Sequence, residues 1–228
     1  MSVLSRYRTK WGKRHFIILL KSLEYGYTTR DRGILYLGCL TRDELNILVA
    51  YADSSLSLPR SQGCRMIIMN GAVISFSSKR HTTTDDSTAA AELTEQHLCA
   101  CDVEGLRNLM KEVGLEQLEP TVIYQDNQAA IQIANNRGAL AKKTRAMDMR
   151  TLTVRNKIED MKVIPVYLET LKMLADIGTK ALDPARFEIL RDLMTGYGVF
   201  DAMKKGNWNE VAVLLICMSC KKFKDHLR

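Results

Sequence analysis

The sequence predicts an α/β fold of the α+β kind, a mixed sheet with helices packed on it, and three observations lead there. Short apolar and β-branched runs, ILVAY (47–51), RMIIM (65–69), AVISF (72–76), TVIYQ (121–125) and VIPVY (163–167), are interleaved with stretches of helical periodicity. Their order reads βββαβαβα. Asn70-Gly71 separates the second and third runs, and both residues tolerate the positive φ of a two-residue turn, so the first three strands are expected to be antiparallel.

The elements follow in chain order. HFIILLKSLEY (15–25) places Phe16, Leu19, Leu20 and Leu23 at helical spacing within a basic segment, which predicts a helix with a solvated basic face. The three strands come next. Asp86 or Ser87 then offers an N-cap for a long helix over 88–113, which Gly105 could interrupt and Gly114 closes. TVIYQ leads directly into Asp126 and the helical NQAAIQIAN. After a basic loop, a helix is expected over 146–161, then the strand VIPVY, then a helix through KMLADIGTKAL (172–182). Asp183-Pro184, a cap followed by proline in the first turn, opens a last helix over 184–195.

Composition sets the outer limits. The 228 residues, 46% hydrophobic and 26% charged, suffice for one compact domain with a small appendage and exclude collagen-like, coiled-coil and wholly disordered chains. With 33 Lys and Arg against 26 Asp and Glu, the net charge of +7 favours partners that carry phosphates. The 6 cysteines are irregularly spaced and the N-terminus lacks signal-peptide architecture, so a reducing, intracellular compartment is expected. The longest apolar run, Val211 to Met218, is far short of the roughly 20 residues that span a bilayer. No membrane association is expected.

Metal-ion chemistry on a phosphodiester needs several carboxylates converging on one point, because hard divalent cations take oxygen ligands. Asp53 and Asp126 close the first and fourth strands, so parallel pairing of those strands would bring both side chains to one end of the sheet. Glu92 lies one turn into the long helix and Asp176 in a late one. Each has an ordinary explanation too: Asp53 a turn, Asp126 a helix cap, Glu92 an exposed helix residue, Asp176 ion pairs with Lys172 and Lys180.

The joint pattern is more specific. VAYADSS, GAVISFSSKRH, STAAAEL, VIYQDNQAAIQIANN, MDMRTLTVRNKIED and LADIGTKAL, in that order, resemble the motifs of the ribonuclease H domain of copia-type LTR retrotransposon Pol polyproteins. The resemblance implies a ribonuclease H-like fold, a five-stranded mixed sheet with helices on both faces. It implies hydrolysis of the RNA strand of RNA–DNA hybrids by two Mg2+ ions, with Mn2+ as the alternative, held by Asp53, Glu92, Asp126 and Asp176. Asn127 and Gln128 would contact the strands. Lys142, Lys143, Arg145, Arg150 and Arg155 are candidates for phosphate contacts, and a plain solvated face explains them as well.

The stretch before the first strand is similar to the segment that links reverse transcriptase to ribonuclease H in such polyproteins. The expected organisation is therefore 1–45 as the end of that connection, 46–182 as the ribonuclease H-like domain, 183–200 as a C-terminal helix and 201–228 as a tail. The partners implied are an RNA–DNA hybrid and the rest of a Pol polyprotein, in a cytoplasmic particle or the nucleus. The pattern also departs from the family. SSLSLPRSQG follows the first aspartate where further acidic and aromatic residues are usual, Ala90 replaces a glutamate, and Ala146 and Leu152 replace histidines. These changes support a competing reading, a domesticated remnant that binds nucleic acid or protein without cleaving. Cys217-Met-Ser-Cys220 has half a zinc spacing without a second half, and His81 and His97, lacking evident partners, are read as surface residues.

Overall fold

The computed structural model describes residues 4, 7, 9–38, 46–135 and 145–205, with the backbone alone at 145–148. It divides into two compact units, Met1–Ile34 and Leu35–Arg228. In the first, helix α1 (Lys13–Thr28) forms over the predicted segment, and His15 ties its start by accepting from Gly12 N at 3.1 Å. None of its residues is buried, so Phe16, Ile18, Leu20 and Leu23 stay exposed together with the basic side chains.

The second unit is built on β1 (Val49–Ser55), β2 (Gln62–Met69), β3 (Ala72–Arg80), β4 (Thr121–Gln125) and β5 (Val163–Tyr167), in the spatial order β3-β2-β1-β4-β5. β1, β2 and β3 form an antiparallel meander, while β4 runs parallel to β1 and β5 parallel to β4. The turn between β2 and β3 has Asn70 at φ 52 and Gly71 at φ 84, the doubly positive geometry that Asn-Gly favours. The strands exceed the apolar runs because their polar ends, including Asp53 and Ser78, continue the ladder.

Helix α2 (Thr88–Glu112) starts where Ser87 accepts from Ala90 N and runs through Gly105 without a break; Gly114, at φ 80, follows its end. It packs Cys99, Ala100 and Val103 against Leu48, Ala50, Ala52, Ile67 and Ile123 on one sheet face. Helices α3 (Gln128–Asn135) and α4 (Arg145–Glu159) extend that layer, with Ala130, Ala134 and Val154 packed around Leu93.

The other face carries Val49, Tyr51, Met66, Val122 and Tyr124. A continuous helix over 172–182 does not form to cover it. Instead a 3-10 turn (Thr170–Lys172) precedes α5 (Asp176–Thr179), and Met173, Leu174 and Ala175 between them are all buried. The chain turns tightly there, with Asp176 N donating to Met173 O and Ile177 N to Leu174 O, and all three side chains reach the core. Helices α6 (Pro184–Met194) and α7 (Tyr197–Lys204) complete the layer, and Val199 and Ala202 join the core. Leu35 N donates to Thr195 O and Leu37 N to Asn70 O, so this end of the segment read as the leading connection lies on the sheet unit. The sheet is thus five-stranded and mixed, covered by helices on both faces, in a ribonuclease H-like fold.

Candidate metal centre

The site arises at the one junction where the antiparallel meander meets the parallel strands. β1 and β4 run side by side with Tyr51 level with Tyr124, so both chains leave the sheet at the same end. The alternation that turns Val49 and Tyr51 toward α5 to α7 turns Asp53 the same way. Asp126, immediately after β4, continues the face of Val122 and Tyr124. Asn127 caps α3 by accepting from Ala130 N at 3.1 Å, which leaves Asp126 free of the capping role.

Glu92 reaches the same point from α2. It is buried rather than exposed: its Oε1 accepts from Ser54 N at 3.2 Å, and Gln125 Nε2 donates to its carbonyl at 3.1 Å and to Oε2 at 3.4 Å. One carboxylate oxygen from each of Asp53, Glu92 and Asp126 lies within 4.8 Å of the other two. Thr179 Oγ1 donates to Asp53 Oδ2, and Thr170 Oγ1 to Asp126 Oδ2 at 2.9 Å.

Asp176 lies outside this triad and is linked to it by a lysine. Lys180 Nζ is 2.5 Å from Asp176 Oδ1, 3.7 Å from Asp53 Oδ1 and 3.8 Å from Asp126 Oδ2. Arg186 holds the second oxygen of Asp176 at 2.6 Å and also donates to Thr170 O at 2.6 Å. The expected Lys180 pair with Asp176 is therefore present, and it joins a larger network.

The electrostatics match an ion-binding cluster. Burial pushes the Asp53 carboxyl up to about 6, against the lowering effect of Thr179 and Lys180. Burial, then the charges of Asp53 and Asp126, push Glu92 up to about 9. Lys180 is raised, since the hydrogen bond to Asp176 and the charges of Asp53, Asp176 and Asp126 outweigh its burial. Converging carboxylates disfavour one another's ionised forms unless a cation sits among them. An all-oxygen donor set of this kind fits a hard divalent ion such as Mg2+ or Mn2+.

The proposed nucleic-acid contacts separate into different groups. Gln128 is exposed beside Asp126. Arg150 donates to Thr94 Oγ1 at 2.7 Å and to Thr83 Oγ1 at 2.9 Å. Arg155 is not a surface cation: it is buried, with its guanidinium donating to Ile133 O at 2.7 Å at the end of α3. Lys142 and Lys143 fall outside the described residues, as do Cys217 and Cys220 and the side chain of Arg145.

His81 is likewise not a surface residue. It is buried between Asp85, 2.7 Å from Nδ1, and Glu95, 3.0 Å from Nε2. Glu95 also pairs with Arg65 at 3.1 Å, and Arg65 with Asp102 at 2.5 Å. His97 is partly buried, and burial holds its imidazole below the ordinary range. Sequence reasoning missed Ser54, Gln125, Thr170, Thr179 and Arg186 as groups that orient the carboxylates. Ser54, Gln125 and Thr179 lie inside the motifs VAYADSS, VIYQDNQAAIQIANN and LADIGTKAL, which are the available signal.

The fold is ribonuclease H-like and carries an acidic triad. Its homologues are retrotransposon Pol polyproteins. The chain is 26% identical over 198 residues to the retrovirus-related Pol polyprotein from transposon TNT 1-94 of Nicotiana tabacum, a match over 85% of this chain and 14% of that one. It is 25% identical over 173 residues to the transposon Ty1-JR1 Gag-Pol polyprotein of Saccharomyces cerevisiae, over 74% of this chain and 10% of that one. It thus spans a small part of the curated relatives it matches. No family model matches the chain.

Similar solved structures include LC11-RNase H1, isolated from compost by a metagenomic approach, with a TM-score of 0.44 and 15% identity over 58% of this chain and 91% of that one. Another is an N-terminal RNase H domain from Mycobacterium tuberculosis fused to maltose binding protein, with a TM-score of 0.45 and 10% identity over 64% and 97%. No helix among the described residues is long and apolar enough to cross a membrane.

Proposed function

We propose that this chain is a divalent-ion-dependent ribonuclease that cleaves the RNA strand of RNA–DNA hybrids, and that it works as one segment of a larger Pol polyprotein. The observation that carries this reading is the triad of Asp53, Glu92 and Asp126, with oxygens within 4.8 Å of one another beside the end of the parallel β1/β4 pair. The hybrid as substrate follows from the motif resemblance, and Mg2+, with Mn2+ as alternative, from the oxygen donor set.

Asp53, Glu92 and Asp126 would hold the ions, with Asp176 as the fourth carboxylate. Bound there, two divalent ions would activate water and offset charge on the leaving oxygen. The protein's own part is orientation. Ser54 N and Gln125 Nε2 fix both oxygens of Glu92, Thr170 fixes Asp126, and Thr179 fixes Asp53. Fixed donors cost little reorganisation when the ligands engage. Gln128, exposed two residues after Asp126, would contact a strand lying over the site.

A second reading, a nucleic-acid-binding remnant that no longer cleaves, is favoured by one observation: Asp176 is paired with Lys180 and Arg186 rather than drawn into the triad. The purified chain, incubated with a labelled RNA–DNA hybrid and Mg2+ beside an Asp126→Asn variant, separates the two. Cleavage by the wild-type chain alone is expected. Binding without cleavage, or equal cleavage by both chains, overturns the nuclease.

A further inference from the structure

We infer that Lys180 is the resident counter-ion of the carboxylate cluster, and that it keeps the side of the cluster between Asp53 and Asp176 closed to a second divalent ion until its side chain swings away. This rests on the reading that the triad binds divalent ions, and it adds an order to their binding.

The argument is one of position. A Mg2+ ion held by Asp176 Oδ1 would sit about 2.0 to 2.1 Å from that oxygen. The Lys180 ammonium lies 2.5 Å from the same atom, so the two cations compete for one place. No ion pair joins Lys180 to Glu92 among the described residues, whereas pairs do join it to Asp53 and Asp126 at 3.7 and 3.8 Å. Lys180 thus reaches Asp176 most closely and Asp53 and Asp126 at longer range, so the place it fills is the one beside Asp176.

Lys180 can leave. Its side chain is 36% exposed and ends in a compact charge on a flexible stem, so water is within reach. Arg186 differs, because it grips the outer oxygen of Asp176 and the Thr170 carbonyl together and makes no ion pair with Asp53 or Asp126 among the described residues. Two positive side chains thus share Asp176, and only one of them bars the way to Asp53.

Isothermal titration calorimetry of Mn2+ into the full chain tests this without an activity measurement, with circular dichroism to check that each variant is folded. The wild-type chain should bind one ion well and a second weakly. Lys180→Met should tighten the second site by about tenfold or more, because a unit charge a few ångströms away is removed. Arg186→Met, which removes a charge from the same carboxylate, should tighten it far less. Lys180→Met binding like wild type, or the two variants shifting alike, overturns the role of Lys180 while leaving the ion site intact. An absence of Mn2+ binding in all three chains overturns the ion-binding reading itself, and the gate with it.

Discussion

Gly63 lies directly beneath the Glu95 carboxylate: a Cβ at position 63 would come within 1.9 Å of Glu95 Oε2 and 2.5 Å of His81 Nε2. β2 has no side chain at this point because the space belongs to a chain of charges, buried at Asp85, His81 and Glu95 and continuing through Arg65 to the partly exposed Asp102. Gly63→Ala should therefore push a paired carboxylate off its partners, and destabilisation of about 1 to 3 kcal/mol is expected. Urea unfolding of wild type and variant measures it, and an unchanged midpoint would refute the account.

The same network makes stability depend on pH. Burial alone would lower His81, but its hydrogen bonds to Glu95 and Asp85 outweigh that and raise it above 6.5. Its contribution is fully present below about pH 6.5 and is lost as pH rises through the raised folded value. Asp85 works in the opposite sense. Burial raises it, hydrogen bonds with His81 and Thr94 oppose this, and the carboxyl falls below 3.8, so its contribution is lost only in strong acid. Unfolding free energies measured from pH 5 to 9 should decline above neutrality by at most about 1.4 kcal/mol per pH unit. His81→Gln should flatten that decline.

Divalent ions should stabilise the fold by mass action, about 2.7 kcal/mol at a hundred times the dissociation constant. Melting temperature should climb with Mg2+ concentration in the wild-type chain. Glu92→Gln keeps an acceptor for Ser54 N and removes one of three converging carboxylates. It should melt no lower than wild type without ions and gain little from Mg2+. A full Mg2+ response in this variant would remove Glu92 from the ligand set.

Arg155 should matter to stability and not to hybrid binding. Arg155→Met leaves the Ile133 carbonyl without its donor near the end of α3, at a cost of about 1 to 3 kcal/mol. Hybrid affinity and its salt dependence, measured under conditions where the variant is folded, should be unchanged. A salt slope shallower by about one would return Arg155 to the phosphate contacts.

Much of the fold is legible in local pattern. Asn70-Gly71 forms its hairpin turn because the requirement for positive φ is local, and Ser87 caps α2 for the same reason. Asp53 and Asp126 can be paired on paper once β1 and β4 are taken as parallel. What escapes local reading depends on distant partners. His81 has no visible reason to be buried until the loop after β3 and helix α2 bring Asp85 and Glu95 to either side of its ring. Arg155 reads as a surface cation until α3 presents its last carbonyls. The helix expected through 172–182 gives way because Met173, Leu174 and Ala175 are all drawn into the core, a tertiary demand that overrides helical periodicity.

Ser78 donates to the Gly178 carbonyl across a separation of 100 residues, and Thr179 reaches Asp53 across 126. These bonds close some of the widest loops in the domain, so they give the order of assembly during synthesis a direct chemical meaning. Asp53, Glu92 and Asp126 leave the ribosome long before Thr179 and Lys180 do. In a chain built only as far as β4, Asp53, Glu92 and Asp126 have neither the hydroxyl of Thr179 nor the ammonium of Lys180 within reach.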